Sequence, residues 1–377
     1  MALAYTPGLK RKEVTLVRKS RELPIPGDVL VKEGESVNYD TAVAYANIQG
    51  KPSTVNASYV LGCLPDDLER YVLKKEGSEV QAQEVIAIKK TIFDSIFGRK
   101  GTALLSPVQG LVEYVSLTSG QIIIREPPRR IELSSFIPGK VSKVFPTRGV
   151  IIDVQAAHVQ GIFGIGGETH GKLEIVVDNP EQTLEPELLR KEHSGKVLVG
   201  GSLVKQDTLK KAVDIGVKGI IVGGIDQKDL TGFLGYRIGV AITGNEPGPT
   251  VIVTEGFGKM NMASKTFTLL KNHEEDLACI NGSTQIRAGV LRPEIIIPIE
   301  DTNQPESSSA LRLDGLTPGL PIRIIAPPYF GALGHVVELP YQLQTIETES
   351  PVRVLTAQLD DGRRVMVPRA NVELIEE

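Results

Sequence analysis

A chain of 377 residues is too long for one ordinary hydrophobic core, so two to four domains are expected. Its 41% hydrophobic and 23% charged residues exclude a disordered polymer, and its longest apolar runs, VKGIIVGGI and PEIIIPI, fall short of the roughly 20 residues that a membrane helix needs. A net charge of -4 excludes wholesale wrapping of nucleic acid and leaves only a local contact with it open.

The first residues, MALAYTPGLKRKEV, reach charges before any apolar core, so no secretory signal or membrane insertion is read and a cytoplasmic protein is expected. The basic run Lys10, Arg11, Lys12, Arg18, Lys19 and Arg21 reads as a solvated segment or as a second basic patch. Cys63 and Cys279 lack a CxxC or paired-ligand spacing, which excludes a disulfide framework and a thiolate zinc site.

With 38 glycines and 24 prolines separating short β-branched runs, the chain reads as β-rich. Four segments repeat one phrase: IPGDVLVKEGESV from Ile25, LKKEGSEVQAQEVIAI from Leu73, SPVQGLVEYVSLTSGQIII from Ser106 and IPGKVSKVFPTRGVII from Ile137. Alternating valines make each a half-buried strand, and the following glycine supplies the positive φ of a tight bend. Helical spacing occurs in DDLERYVLKK near 70, PELLRKEH near 190, KQDTLKKAVDIG near 210 and KTFTLLKNHEE near 270. The third is the strongest, with Asp207 expected as N-cap, Leu209, Ala212 and Val213 on one face, and Gly216 as C-cap.

EGSEVQAQEVIAIKK followed by SPVQGLVEYVSLTSGQIII resembles the two halves of a biotinyl or lipoyl-type barrel-sandwich hybrid. Carriers of that family hold their modified lysine on a tight hairpin, whereas IKKTIFDSIFGRKG enlarges the turn and displaces Lys89 and Lys90, so the resemblance implies the fold without the swinging arm. PGDVLVKEGESV is similar to barrel domains of RnfC-like and NqrA-like electron-transport subunits over roughly residues 20 to 175, without the cysteine ligands of their iron–sulfur clusters. No cofactor is expected.

VQGIFGIGGETHG, from Val159 to Gly171, is the candidate ligand loop, with Gly164, Gly166, Gly167, Glu168 and His170 its candidate contacts. A dinucleotide fingerprint is excluded because no helix follows and the third required glycine falls on Thr169. A β-bulge or close backbone packing is the alternative. His158, Glu168 and His170 carry metal-ligand chemistry without a fixed ligand spacing, and a surface histidine is the simpler reading.

GKVLVGGSLVKQDTLKKAVDIGVKGIIVGGI reads as strand, helix and parallel strand, and resembles swivelling β/α domains of the protease-associated kind. In Asn281 to Glu300, Thr284, Gln285, Arg287 and Arg292 form either an anion-recognition surface or a salt-bridged interdomain loop. An enzyme site between the glycine loop and Arg287 stays open, although no triad, nucleophile elbow or paired-acid motif occurs.

DTNQPESSSALRLDG is a polar linker. Beyond it, TPGLPIRIIAPPYFGALGHVVELP and SPVRVLTAQLDDGRRVMVPRANVELIE resemble a KOW-type small β-barrel of the NusG C-terminal kind. Five arginines and no lysine stand against nine acids from Leu313 onward, so this barrel is not basic. The resemblance implies contact with RNA or protein, and Tyr329, Phe330, Arg363, Arg364 and Arg369 are the candidate residues. The expected fold is multidomain and mainly β with an α/β middle: barrel-sandwich subdomains over 1–180, a swivelling α/β domain over 181–300, a linker over 301–312 and a KOW barrel over 313–377. The expected function is non-catalytic binding or assembly, with the KOW module on RNA, a protein or a ribonucleoprotein of transcription or translation. The alternative is an accessory subunit of a carrier-dependent or electron-transport enzyme complex.

Overall fold

A computed structural model describes residues 9–90, 101–236, 244, 246–285, 291–299, 316–324, 328–329, 332–345 and 351–376; the expected linker at 301–312 lies outside them. The fold is mainly β, with 48% strand against 15% helix among the described residues. The strand Gly149–Gln160 is its spine. Along one edge it pairs antiparallel with Leu9–Glu22, from Glu22↔Gly149 to Arg11↔Val159. Along the other, Gly139–Phe145 takes the first half and Glu294–Pro298 the second. Side chains alternate along a strand, so this one serves two cores. Val150, Ile152 and Ala156 enter an N-terminal core with Val17, Val43 and Ile137, while Ala157 and Val159 enter a second with Ile165, Ile252 and Ile295.

The second core belongs to an α/β unit in which Val197–Val199, Gly219–Ile225 and Thr250–Phe257 run parallel, with Glu168–Ile175 parallel beside the first. Every residue of GIIVGGI is buried, as expected of a central strand covered on both faces. Its glycines let chain pass close: a Cβ on Gly224 would stand 2.0 Å from the Gly258 carbonyl oxygen. The helix Gln206–Ile215 ends on Gly216 at φ +85, as expected, but starts one residue earlier than its predicted cap. Lys205 holds the N-cap position without a side-chain bond, and Asp207 sits in the first turn, where its charge suits the helix dipole. Thr208, Leu209 and Ala212 form the buried face and Val213 is exposed. The segments near 70 and 190 close only as 3-10 turns, at Pro65–Arg70, Pro186–Leu188 and Lys191–His193, because each run is too short to propagate a helix. The segment near 270 gives the helix Ser264–Asn272.

Between Ala42–Ile48 and Arg129–Ser134, which pair antiparallel with Ile48 opposite Arg129, the chain builds a separate module. Pro52–Asn56, Gln121–Arg125, Gly110–Ser116 and Glu79–Val80 form its sheet, and Val85–Lys89 with Thr102–Leu105 a hairpin. Its core of Leu61, Leu68, Val80, Ile86, Val112, Ile122 and Ile124 draws on no described residue outside 55–124. The module therefore has its own core and stands on a two-stranded stalk.

The last strands form one antiparallel sheet in the order Arg364–Pro368, Val354–Leu359, Leu333–Glu338, Pro321–Ile324, Val372–Glu376. Leu9↔Ile375 and Lys10↔Glu376 join it in parallel to the N-terminal strand. A buried charge cluster fills the seam with the α/β unit. Arg323, 1% exposed, donates to the Thr254 carbonyl oxygen at 3.2 Å and lies 3.3 Å from Glu255 Oε2. Arg292 pairs with Glu373 at 3.0 Å. Burial pushes the Arg323 guanidinium below its ordinary value while Glu255 and Glu373 pull it back, and a guanidinium remains charged throughout.

Candidate functional site

The glycine loop is a bend between Phe163–Ile165 and Glu168–Ile175, with Gly166 at φ +80. Its amides are spent on the protein itself: Gly164 N donates to Thr284 Oγ1 at 2.9 Å and Gly166 N to Glu246 Oε2 at 3.1 Å. The Thr250 hydroxyl donates to the Gly167 carbonyl oxygen at 2.9 Å. A Cβ on Gly164 would meet the Gly282 carbonyl oxygen at 2.6 Å, and one on Gly167 the Gly244 carbonyl oxygen at 2.7 Å. Close backbone packing thus accounts for the glycines.

The polar side chains of the loop separate. Glu168 accepts a two-point bond from Arg21, at 2.5 and 2.8 Å. His170 stacks on Tyr39 with ring centroids 3.8 Å apart. Burial, and then the charge of Lys218, hold its imidazole below the ordinary value. His158 belongs to a different group, where its Nε2 lies 3.3 Å from Glu294 Oε2, in ion-pair range but off the line of a hydrogen bond. Lys19 also binds Glu294. Burial pushes that carboxyl up, and His158 and Lys19 more than offset it, holding it below the ordinary range. No group of three or more histidine, cysteine, aspartate or glutamate side chains among the described residues is placed to hold a metal ion. Arg287 lies outside the described residues. Within the N-terminal basic run, Arg18 pairs with Asp153, Lys19 with Glu294 and Arg21 with Glu168.

On the C-terminal sheet, Arg363 and Tyr329 meet, with the guanidinium 5.7 Å from the ring centroid. Asp361 takes two bonds from Arg363, at 2.9 and 2.6 Å, and this neighbour holds its carboxyl below the usual range. Arg364 donates to Gln358 Oε1 at 3.0 Å. Arg369 faces its own fold, donating to the carbonyl oxygens of Val354 at 3.0 Å and Pro340 at 2.9 Å. Phe330 lies outside the described residues. The candidate edge therefore carries one neutralised arginine, one arginine bound to a neutral amide and one used as an internal brace.

Sequence reasoning missed a cleft of about 460 Å³ where the stalk meets the module. Gln49 and Gly50 form one wall, Glu126, Pro127 and Pro128 another, and Val80 and Leu111 line it from the module. The junction is tight: a Cβ on Gly50 would stand 1.9 Å from the Glu126 carbonyl oxygen. Arg125 braces it, donating to Glu113 Oε1 at 2.8 Å and to the Gly50 carbonyl oxygen at 3.0 Å. Glu79 and Glu126 also line the cleft, and neither has a cationic partner among the described residues. With Arg125 cancelled by Glu113, the cleft keeps two negative charges beside an apolar floor. The module also exposes apolar side chains, Tyr59 at 85% and Leu64 at 71% above all, with Tyr114 and Leu73 more than half exposed. The signal in the sequence was the pair of punctuation marks QGKP and EPPRR flanking a self-contained β run.

Lys89 at the module's hairpin bonds to the Gly62 carbonyl oxygen and lies 5.8 Å from the Tyr71 ring centroid, while Lys90 is exposed. No helix among the described residues is long and apolar enough to cross a membrane. No family model matches the chain, and no curated protein matches it in sequence.

Proposed function

We propose that this chain is a non-catalytic binding and assembly protein that holds a protein partner through its stalked module. The observation that carries this is the cleft at the module's base, with Glu79 and Glu126, neither paired to a cation among the described residues, around the apolar Val80 and Leu111. Such a site suits a basic, partly apolar protein segment, since opposite charge speeds encounter and the buried apolar contact supplies affinity. Basic arms of this kind belong to the proteins of nucleic-acid machines, which keeps the transcription or translation apparatus as the proposed destination.

In this reading the module is a lipoyl-like barrel-sandwich hybrid without a carrier arm, the α/β unit is a swivelling domain, and the C-terminal sheet is a KOW-type barrel fixed by its buried arginine. RNA contact through that barrel is the weaker option because Arg363 is neutralised by Asp361 and Arg369 is turned inward. The accessory-subunit reading draws on exposed Lys90 beside the hairpin, and an intact mass showing a modified lysine would favour it.

The test is affinity purification of the whole chain with and without ribonuclease, beside a Glu79→Lys and Glu126→Lys variant. Partners retained after ribonuclease and lost on charge reversal are expected. Partners released by ribonuclease and indifferent to the charge reversal would refute the assignment to the cleft.

A further inference from the structure

The cleft at the module's base lies across a break in the stalk. The stalk ladder ends where Ile48 faces Arg129, and the module ladder begins where Pro52 faces Arg125. Residues 49–51 and 126–128 lie between the two ladders and belong to neither. Pro127 and Pro128 have no N–H to donate, so strand pairing cannot run through them. The bonds that cross the break are local: Glu126 N donates to the Lys51 carbonyl oxygen at 3.1 Å, and Arg125 to the Gly50 carbonyl oxygen at 3.0 Å. The module's core draws on no described residue outside 55–124, so among the described residues no apolar core spans this joint. Units joined by a small polar contact move relative to one another by default.

The lining of the cleft comes from both sides of the break. Glu79, Val80 and Leu111 belong to the module, whereas Gln49, Glu126 and the two prolines belong to the connection. Of the four charged side chains in the lining, Arg125 and Glu113 pair at 2.8 Å, which leaves Glu79 on one wall and Glu126 on the other. Lys51 and Arg129 flank the joint in sequence without lining the cleft. Like charges on opposite walls repel, and a cation between them ties the walls together. We infer that the cleft is a joint closed by its occupant: a cationic side chain of the partner segment lies between Glu79 and Glu126, and its binding fixes the angle of the module on its stalk. The inference rests on the cleft as the partner site. A ligand that touches both walls binds the closed arrangement more tightly, so occupancy shifts the population toward it.

Spin labels at Leu73→Cys in the module and Val213→Cys in the helix Gln206–Ile215 measure the distance across the joint in the whole chain, with Cys63→Ser and the fully buried Cys279 left in place. The free chain should give a broader distance distribution than a label pair at Leu73 and Tyr114 within the module. Glu79→Lys sets a cation against Glu126 and should narrow the distribution with no ligand present, shifting the balance by up to about fivefold as exposed ion pairs do. High salt should widen it again, and adding Glu126→Lys should restore the breadth. An acetylated, amidated Leu-Arg-Leu-Arg peptide should narrow the wild-type distribution and leave that of the double variant unchanged. A free chain as narrow as the pair within the module, a Glu79→Lys distribution identical to wild type, or a peptide that binds without narrowing would overturn the inference. Narrowing by Glu79→Lys with no binding of the peptide would instead remove the cleft as a partner site and leave the joint standing.

Discussion

Replacing Arg323 with methionine isolates the energetics of the seam. In the wild type, Arg323 offsets Glu255, which is 6% exposed, and contributes to the field around Glu373, 3% exposed. Methionine fills much of the space but leaves Glu255 buried without a cation, whereas Glu373 keeps Arg292. Removing one partner of a buried pair typically costs about 3–5 kcal/mol, and the loss here should sit near the upper half of that range because Glu255 has no second cation in bonding contact among the described residues. Adding Glu255→Gln retains an acceptor for Ala263 N while removing the stranded charge, so the double variant should recover roughly half or more of the loss. Urea unfolding gives the free energies, and hydrogen exchange of Val354–Leu359 reports whether the C-terminal sheet loosens first, which matters because several cores need not unfold as one. A single variant within about 1 kcal/mol of wild type, or a double variant worse than the single, would refute this view of the cluster.

Other consequences are equally open to measurement. Glu294, held below its ordinary value of 4.5 in the folded chain, contributes stability that is fully present above that value and is lost as pH falls through the folded one. Acid unfolding of Glu294→Gln should therefore be flatter below about pH 4.5 than that of wild type; identical acid limbs would contradict the assignment. Gly50→Ala should loosen the stalk junction, because the new methyl group meets backbone rather than a movable side chain. Faster exchange at Ala42–Ile48 with an unchanged module core is expected, and unchanged exchange at both would count against the junction as described. Arg21→Lys should cost about 1 kcal/mol in thermal or urea unfolding by replacing the two-point bond to Glu168 with a single contact, whereas nucleotide or zinc titrations of wild type should show no binding at the glycine loop.

What could be read from the sequence was what depends on short-range pattern. The run GIIVGGI announced a parallel strand, and Gly216 announced a helix end, because each is fixed by neighbours a few residues away. The stalk was hidden because Ala42–Ile48 and Arg129–Ser134 meet across a whole inserted module, and no local period encodes such a pairing. Arg323 was hidden for a different reason. In PIRI it occupies the position that alternation assigns to solvent, and only the docking of a second unit onto that face turns the solvent side into a buried seam. The basic N-terminal run was ambiguous for the same cause, since the acids that pair with it, Asp153, Glu168 and Glu294, come from three distant strands. The glycine loop showed its glycines plainly, but whether they leave room for a ligand or for neighbouring backbone is decided by Gly244 and Gly282, far along the chain.

Hydrogen exchange of the whole chain, alone and bound to the partner recovered from its native cell, addresses partner binding most directly. Protection confined to Gln49–Lys51, Glu79–Gln81, Gln109–Leu111 and Glu126 is the outcome the cleft requires. Protection centred instead on Val354–Leu359 and Arg364–Pro368, with the base of the module unchanged, would move the function to the C-terminal sheet and contradict the assignment.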